Sequence, residues 1–258
     1  MVLNPLLDLA LRAALAAGEE IMRVYAEPFE VRHKEDKTPV TEADLVAERV
    51  IEQILREACP DIPVVSEETA EPEGWTAPGP RFWCVDPLDG TREFVNRTDE
   101  FAVNIGLVEH GRAVLGIVYG PAAGVTYAAA EGRAMRRHGG GDFAPIVARA
   151  PASGGIVVVH SRSHDNSTRL AEYFAGKPVP VVERKKCGSA LKFGVVASGE
   201  ADFYPRFGTT MEWDTAAGQA ILEAAGGSVV MLSGARLVYG KPGLKNEGFL
   251  AWGKQAAW

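Results

Sequence analysis

The 258-residue chain carries 27 Lys and Arg against 34 Asp and Glu, a net charge of −7. It has no dense basic block, which excludes general nucleic-acid binding, because phosphate-backbone affinity rests on clustered positive charge. A 47% hydrophobic content suffices for the core of one large domain or two small ones.

Residues 5–25 read as an amphipathic helix, with Leu6, Leu7, Ala10, Ala14 and Ala17 on one side. Asp8, Arg12 and the lack of a basic start argue against a signal peptide or membrane span, so the expectation is a cytoplasmic protein. Residues 30–39 show no apolar period and are predicted as an exposed loop. A second helix starts at Thr41 and buries Val46, Ala47, Val50, Ile51, Ile54, Leu55 and Ala58.

A strand over 62–65 runs into Ser66-Glu67-Glu68, and a Pro/Gly-rich loop over 72–80 follows. The apolar strand 82–85 ends on Asp86. Residues 101–108 and 112–119 predict a hairpin and 124–137 a second one, so this half is expected to be antiparallel sheet. From Gly154 strands and helices alternate: strands at 156–160, 179–183, 202–205, 227–232 and 248–252, and helices at 168–175, 188–199 and 213–225. The rhythm predicts an N-terminal antiparallel-sheet half, 1–150, and a C-terminal α/β half, 151–258, acting as one compact catalytic unit.

Asp86-Pro87-Leu88-Asp89-Gly90-Thr91 holds two carboxylates three residues apart at a strand end. Carboxylates so close repel each other unless a cation lies between them, and all-oxygen ligands select Mg²⁺ or Mn²⁺. Asp-Pro and Asp-Gly are also ordinary turn signals. Glu67-Glu68 closes a neighbouring apolar strand, so the two acidic groups can meet at one sheet edge. Asp214 opens a predicted helix and reads equally as an N-cap. Asp44 sits at capping-box spacing from Thr41. Each is a local device or a ligand, and spacing alone leaves both open.

Asp44, Glu67-Glu68, Asp86 to Thr91 and Trp213-Asp214-Thr215-Ala216-Ala217-Gly218 occur in an order that resembles the lithium-sensitive, Mg²⁺-dependent inositol monophosphatase superfamily. The order spans most of the chain. Arg92-Glu93-Phe94, Phe101-Ala102-Val103-Asn104-Ile105, Ser161-Arg162-Ser163-His164, Gly188-Ser189-Ala190-Leu191-Lys192-Phe193 and Tyr204-Pro205-Arg206-Phe207-Gly208 are similar to its 3'(2'),5'-bisphosphate nucleotidases, which usually have Lys where Arg92 stands. Inositol monophosphatases usually place a sugar-binding Glu shortly before Trp-Asp. Here Tyr204-Pro205-Arg206 occupies that stretch, and Glu212 abuts Trp213 instead.

The resemblance implies a layered αβαβα sandwich, the sugar-phosphatase fold. It implies two or three Mg²⁺ per site, with Mn²⁺ as a substitute: Glu67, Asp86 and the Leu88 carbonyl for one ion, and Asp86, Asp89 and Asp214 for another. Asp44, Glu67 and Thr91 would orient and deprotonate the attacking water. Asp89, Gly90, Thr91, Ser189, Lys192, Arg206 and Asp214 would bind substrate. An Arg206 fork suits a second phosphate better than a neutral polyol.

The implied activity is hydrolysis of the 3'-phosphate of adenosine 3',5'-bisphosphate to AMP and phosphate, with a role in sulfur assimilation. Alternatives with the same chemistry are inositol monophosphate or fructose 1,6-bisphosphate hydrolysis. A non-catalytic binding protein is a rival of another class. The partner is then a small phosphorylated molecule, with no nucleic acid polymer and no membrane, and a homodimer is the family-based expectation. Cys59, Cys84 and Cys187 fit buried thiols in a reducing cytoplasm. His160 and His164 follow a strand and do not make a zinc pair.

Overall fold

A computed structural model describes residues 4–33, 39–70, 78–162, 167–177 and 179–254. Helix α1, Pro5–Ala26, starts where the Asn4 side chain accepts from Leu6 N at 2.9 Å and Pro5 fills the first turn. Strands β1, Val31–His33, and β2, Pro39–Thr41, pair antiparallel, which corrects the loop expected over 30–39. Strands of three residues are too short to print a period, and residues 34–38 lie outside the described set. Helix α2 is Glu42–Ala58.

There follow β3 Val64–Ser66, β4 Arg81–Asp89, α3 Thr91–Val95, β5 Ala102–Glu109, β6 Arg112–Gly120, β7 Val125–Ala130, β8 Arg133–His138 and β9 Ala144–Pro145. These seven strands form one sheet in chain order. It is mixed: β3 and β4 are parallel, where a purely antiparallel sheet is expected, and the later pairs are antiparallel. The hairpins carry readable turn signals, whereas the 67–80 connection returns β4 alongside β3 and leaves no periodic trace.

The second half supplies β10 Ile156–Ser161, α4 Ser167–Phe174, β11 Val181–Cys187, α5 Leu191–Ala197, β12 Phe203–Arg206, β13 Thr210–Met211, α6 Ala216–Ala224, β14 Ser228–Met231, a 3₁₀ turn Pro242–Leu244, β15 Lys245–Asn246 and β16 Phe249–Trp252. Its five-stranded sheet runs β11-β10-β12-β16-β14, parallel around β10 and antiparallel around β16.

Helices α1 and α2 cover one face of the larger sheet, burying Leu7, Ile21, Ile51 and Leu55 against Trp83, Val85 and Ile117. Its other face joins α5, α6 and the smaller sheet in a single apolar core that includes Val118, Phe193, Ile221 and Phe249. Leu170 of α4 packs outside the smaller sheet on Val158 and Phe203. The layers are therefore α, β, α, β, α. No helix among the described residues is long and apolar enough to cross a membrane.

One contact sets the register of the middle layer. Gly106 and Gly116 pair across β5 and β6, and a Cβ on Gly116 would run into the Ala217 carbonyl. Helix α6 thus rests directly on sheet backbone, with its first turn near the end of β4 that bears the acidic residues.

Candidate active site

Parallel pairing places Ser66 beside Val85, so Glu67, just past the end of β3, lies next to Asp86 within β4, and Glu67 N donates to the Val85 carbonyl at 3.2 Å. Asp86 is 1% exposed, and its Oδ1 accepts from Leu88 N at 3.0 Å. Register slips between Asp86 and Asp89, around Pro87, which donates no hydrogen bond. Asp89 Oδ2 accepts from the Asn104 amide at 3.2 Å and from Ala190 N. Gly90 adopts φ +92°, a left-handed turn that starts α3. This helix went unread because its five residues are shorter than any helical period window.

Asp44 caps α2 and also reaches Thr91. Its Oδ2 accepts from Thr41 N at 2.7 Å and Thr41 Oγ1 at 2.8 Å, closing the capping box of α2. Its Oδ1 lies 3.3 Å from Thr91 Oγ1, whose hydroxyl donates there or to the Leu88 carbonyl at the same distance.

Asp214 departs from expectation. The cap position of α6 is Thr215, without a side-chain cap bond, and Asp214 Oδ2 accepts instead from Met211 N at 2.8 Å. The carboxylate is thus turned back toward its own strand. One oxygen each from Glu67, Asp86 and Asp214 lies within 4.8 Å of the other two. Asp89 lines the same cavity but stands outside this trio.

Burial first, then the neighbouring Glu67, Asp89 and Asp214, pushes the Asp86 carboxyl well above the usual carboxylate range. Asp214 is raised likewise, by burial and then by Asp89 and Glu67, with Met211 N and Arg206 opposing. Burial raises Asp89 too, and Lys192, Asn104 and Ala190 N hold it down. A hard divalent cation suits all-oxygen donors and offsets much of the charge of these carboxylates, so the residues present fit such an ion.

Glu67, Asp86, Leu88, Asp89, Gly90, Thr91, Ser189, Lys192, Arg206 and Asp214 all line one cavity of about 260 Å³, with Asp44 reaching it through Thr91. Lys192 is 4% exposed. Its ammonium donates to the Ser189 and Cys187 carbonyls and sits 5.1 Å from the Tyr204 ring centre. Arg206 Nη2 reaches Thr209 O at 3.5 Å, while its buried Nε has no hydrogen-bond partner.

The helix expected over 188–199 spans only Leu191–Ala197. Gly188 abuts Glu100, whose carboxylate accepts from Gly188 N at 2.8 Å and pairs with Arg162 at 2.7 Å. Ser189 turns left-handed at φ +46°, which aims Ala190 N at Asp89. Ser163 and His164 lie outside the described residues. Sequence reasoning missed Asn104 and Ala190 as supports of Asp89. A buried Asn in the middle of the apolar β5 was the available signal, since buried amides are there to bond something.

The model of the inositol monophosphatase family matches residues 2–256. The 3'(2'),5'-bisphosphate nucleotidase CysQ of Escherichia coli O157:H7 is 46% identical over 240 residues, 91% of this chain and 94% of the relative. The chain belongs to the inositol monophosphatase family. Among solved structures of that family, CysQ from Bacteroides thetaiotaomicron superposes with a TM-score of 0.81 at 37% identity, covering 96% of this chain and 97% of the other. An inositol monophosphatase from Thermotoga maritima gives 0.77 at 28%, covering 95% and 91%. This family member is a phosphatase, and the family is metal-dependent; its acidic trio could hold an ion.

Proposed function

We propose that the chain is a Mg²⁺-dependent phosphomonoesterase that hydrolyses the 3'-phosphate of adenosine 3',5'-bisphosphate, giving AMP and phosphate. The observation that carries this reading is the juxtaposition, in one cavity, of the Glu67–Asp86–Asp214 trio with cationic side chains, Lys192 and Arg206 among them. The CysQ relatives support the choice of substrate.

Glu67, Asp86 and the Leu88 carbonyl would hold one ion, and Asp86, Asp89 and Asp214 would serve a second. When bound, these ions neutralise phosphate charge and lower the pKa of water. Thr91 Oγ1, 3.3 Å from Asp44 Oδ1, would orient the attacking water once its hydroxyl donates to Asp44. Asp44 and Glu67 are the carboxylates within reach of that water's proton. The Gly90–Thr91 turn seats the reacting phosphate. Lys192 and Arg206 hold phosphate oxygens, with Arg206 taking the 5'-phosphate through its guanidinium, whose Nε has no protein partner. The bond from phosphorus to O3' breaks as water adds opposite it, and O3' takes up a proton. Phosphoryl transfer of this kind needs positioning and charge neutralisation, and no protein nucleophile. The two halves, 1–150 and 151–258, act as one unit in a cytoplasmic homodimer.

A phosphate-release panel across nucleotide bisphosphates, inositol phosphates and sugar bisphosphates, with and without Li⁺, tests this. The bisphosphate nucleotide is expected to be the best substrate and Li⁺ to inhibit. Far faster release from inositol monophosphate, the competing reading, would reject the proposal.

A further inference from the structure

Glu212 does not line the cavity, yet it is fully buried and stands two residues before Asp214. Its carboxylate accepts from Gly240 N at 2.6 Å, Lys241 N at 3.0 Å and Lys241 Nζ at 2.6 Å. The same ammonium donates to Asn246 Oδ1 at 2.9 Å. The Asn246 amide in turn donates to Met211 O and Thr215 Oγ1, both at 2.9 Å. Backbone bonds repeat the pattern: Glu212 N donates to Leu244 O at 2.8 Å, and Thr210 and Met211 pair with Asn246 and Lys245. Residues 240–246 therefore grip 210–215 on both sides of Asp214. Inside that grip, Met211 N donates to Asp214 Oδ2.

A buried ion pair is a poor source of stability, because desolvating both charges offsets most of their attraction. Its use is to fix one backbone arrangement. Here the fixed segment carries a carboxylate that must stay close to two others, against their mutual repulsion.

We propose that Glu212, Lys241 and Asn246 form a bracket that sets the Asp214 carboxylate relative to Glu67 and Asp86. They are positioning residues for cation binding and touch no substrate. The inference rests on the trio holding a divalent cation, as argued above.

Calorimetric titration of Mg²⁺ into the purified full chain tests it. Glu212→Gln is expected to bind Mg²⁺ about tenfold more weakly, the scale seen when a ligand's supporting shell is lost. Asn246→Ser, a milder change, is expected to weaken binding about threefold, with turnover at saturating Mg²⁺ within about twofold of the native chain. Arg149→Gln is the control. It removes the partner of buried Asp202, far from the trio (Arg149 Nε to Asp202 Oδ1 is 2.7 Å), and should lower the unfolding temperature without changing Mg²⁺ affinity. Folded variants that bind Mg²⁺ as the native chain does would overturn the bracket. So would equal weakening in the Arg149 control. If Glu212→Gln fails to fold, Asn246→Ser decides alone. A native chain that binds no Mg²⁺ overturns the metal centre and the bracket with it.

Discussion

Asp86 and Asp202 are each 1% exposed, and the protein treats them in opposite ways. Asp202 is fully partnered: Arg149 donates to both oxygens, and Val157 N donates to Oδ2 at 2.7 Å. Glu212, with Lys241 and two backbone amides, belongs to the same kind. Asp86 instead has other carboxylates around it and one backbone donor, Leu88 N. A buried acid with its own counter-charge is finished internally and holds chain segments together. A buried acid that faces other acids lacks a counter-charge that only a solute can supply. Burial therefore does not separate scaffold from site in this protein, but partnering does.

The strongest way to break that contrast is Asp86→Asn. Turnover should fall by at least about 10²–10³-fold, the scale of removing one preorganised charge-stabilising group, while the metal-free protein unfolds at a higher temperature because repulsion within the trio is relieved. Phosphate release and thermal unfolding in chelator measure the two effects. Undiminished activity, or a lower unfolding temperature, would place Asp86 with Asp202.

The pH dependence sharpens the contrast next. The folded chain holds the Asp86 and Asp214 carboxyls above their usual range, so between the unfolded and folded values the native state binds more protons than the unfolded one. Stability of the metal-free protein must then fall as pH rises through that window, from the ordinary carboxylate range upward. Added Mg²⁺ removes the penalty, so its thermal shift should be larger at pH 8 than at pH 5, where protons compete for the same oxygens. A shift independent of pH would contradict the raised carboxyls of Asp86 and Asp214.

The smallest expected effect is at Asn104, which donates to Asp89 from β5. Asn104→Leu removes one hydrogen bond worth about 1 kcal/mol, so turnover at fixed Mg²⁺ should drop about fivefold. The loss should recover partly as Mg²⁺ is raised.

The acids of this site were legible from their order along the chain, and Glu67 and Asp86 also because each follows an apolar run. Asp86 after Trp83-Cys84-Val85 is the clearest case. Their partners were not legible, since these come from elements distant in sequence. Ala190 N reaches Asp89 only because Ser189 turns left-handed, and Ser carries no mark of that as Gly does. Asp214 reads as a cap or a ligand from its spacing, because the residue type suits capping, and the Met211 N bond removes the first of these. The β3–β4 pairing was hidden for a related reason. A parallel neighbour is chosen by a crossover's path, not by a turn, and the residues between carry no period.

The contact of Gly116 with Ala217 gives this catalytic centre its mechanical tolerance. No side chain lies between helix and sheet there, so nothing in that interface can be trimmed or repacked to absorb an error. A single methyl at position 116 would displace α6 bodily and carry Asp214 away from Asp86 and Glu67. The spacing of the three carboxylates is in effect gauged by a residue that has no side chain and lies outside the pocket.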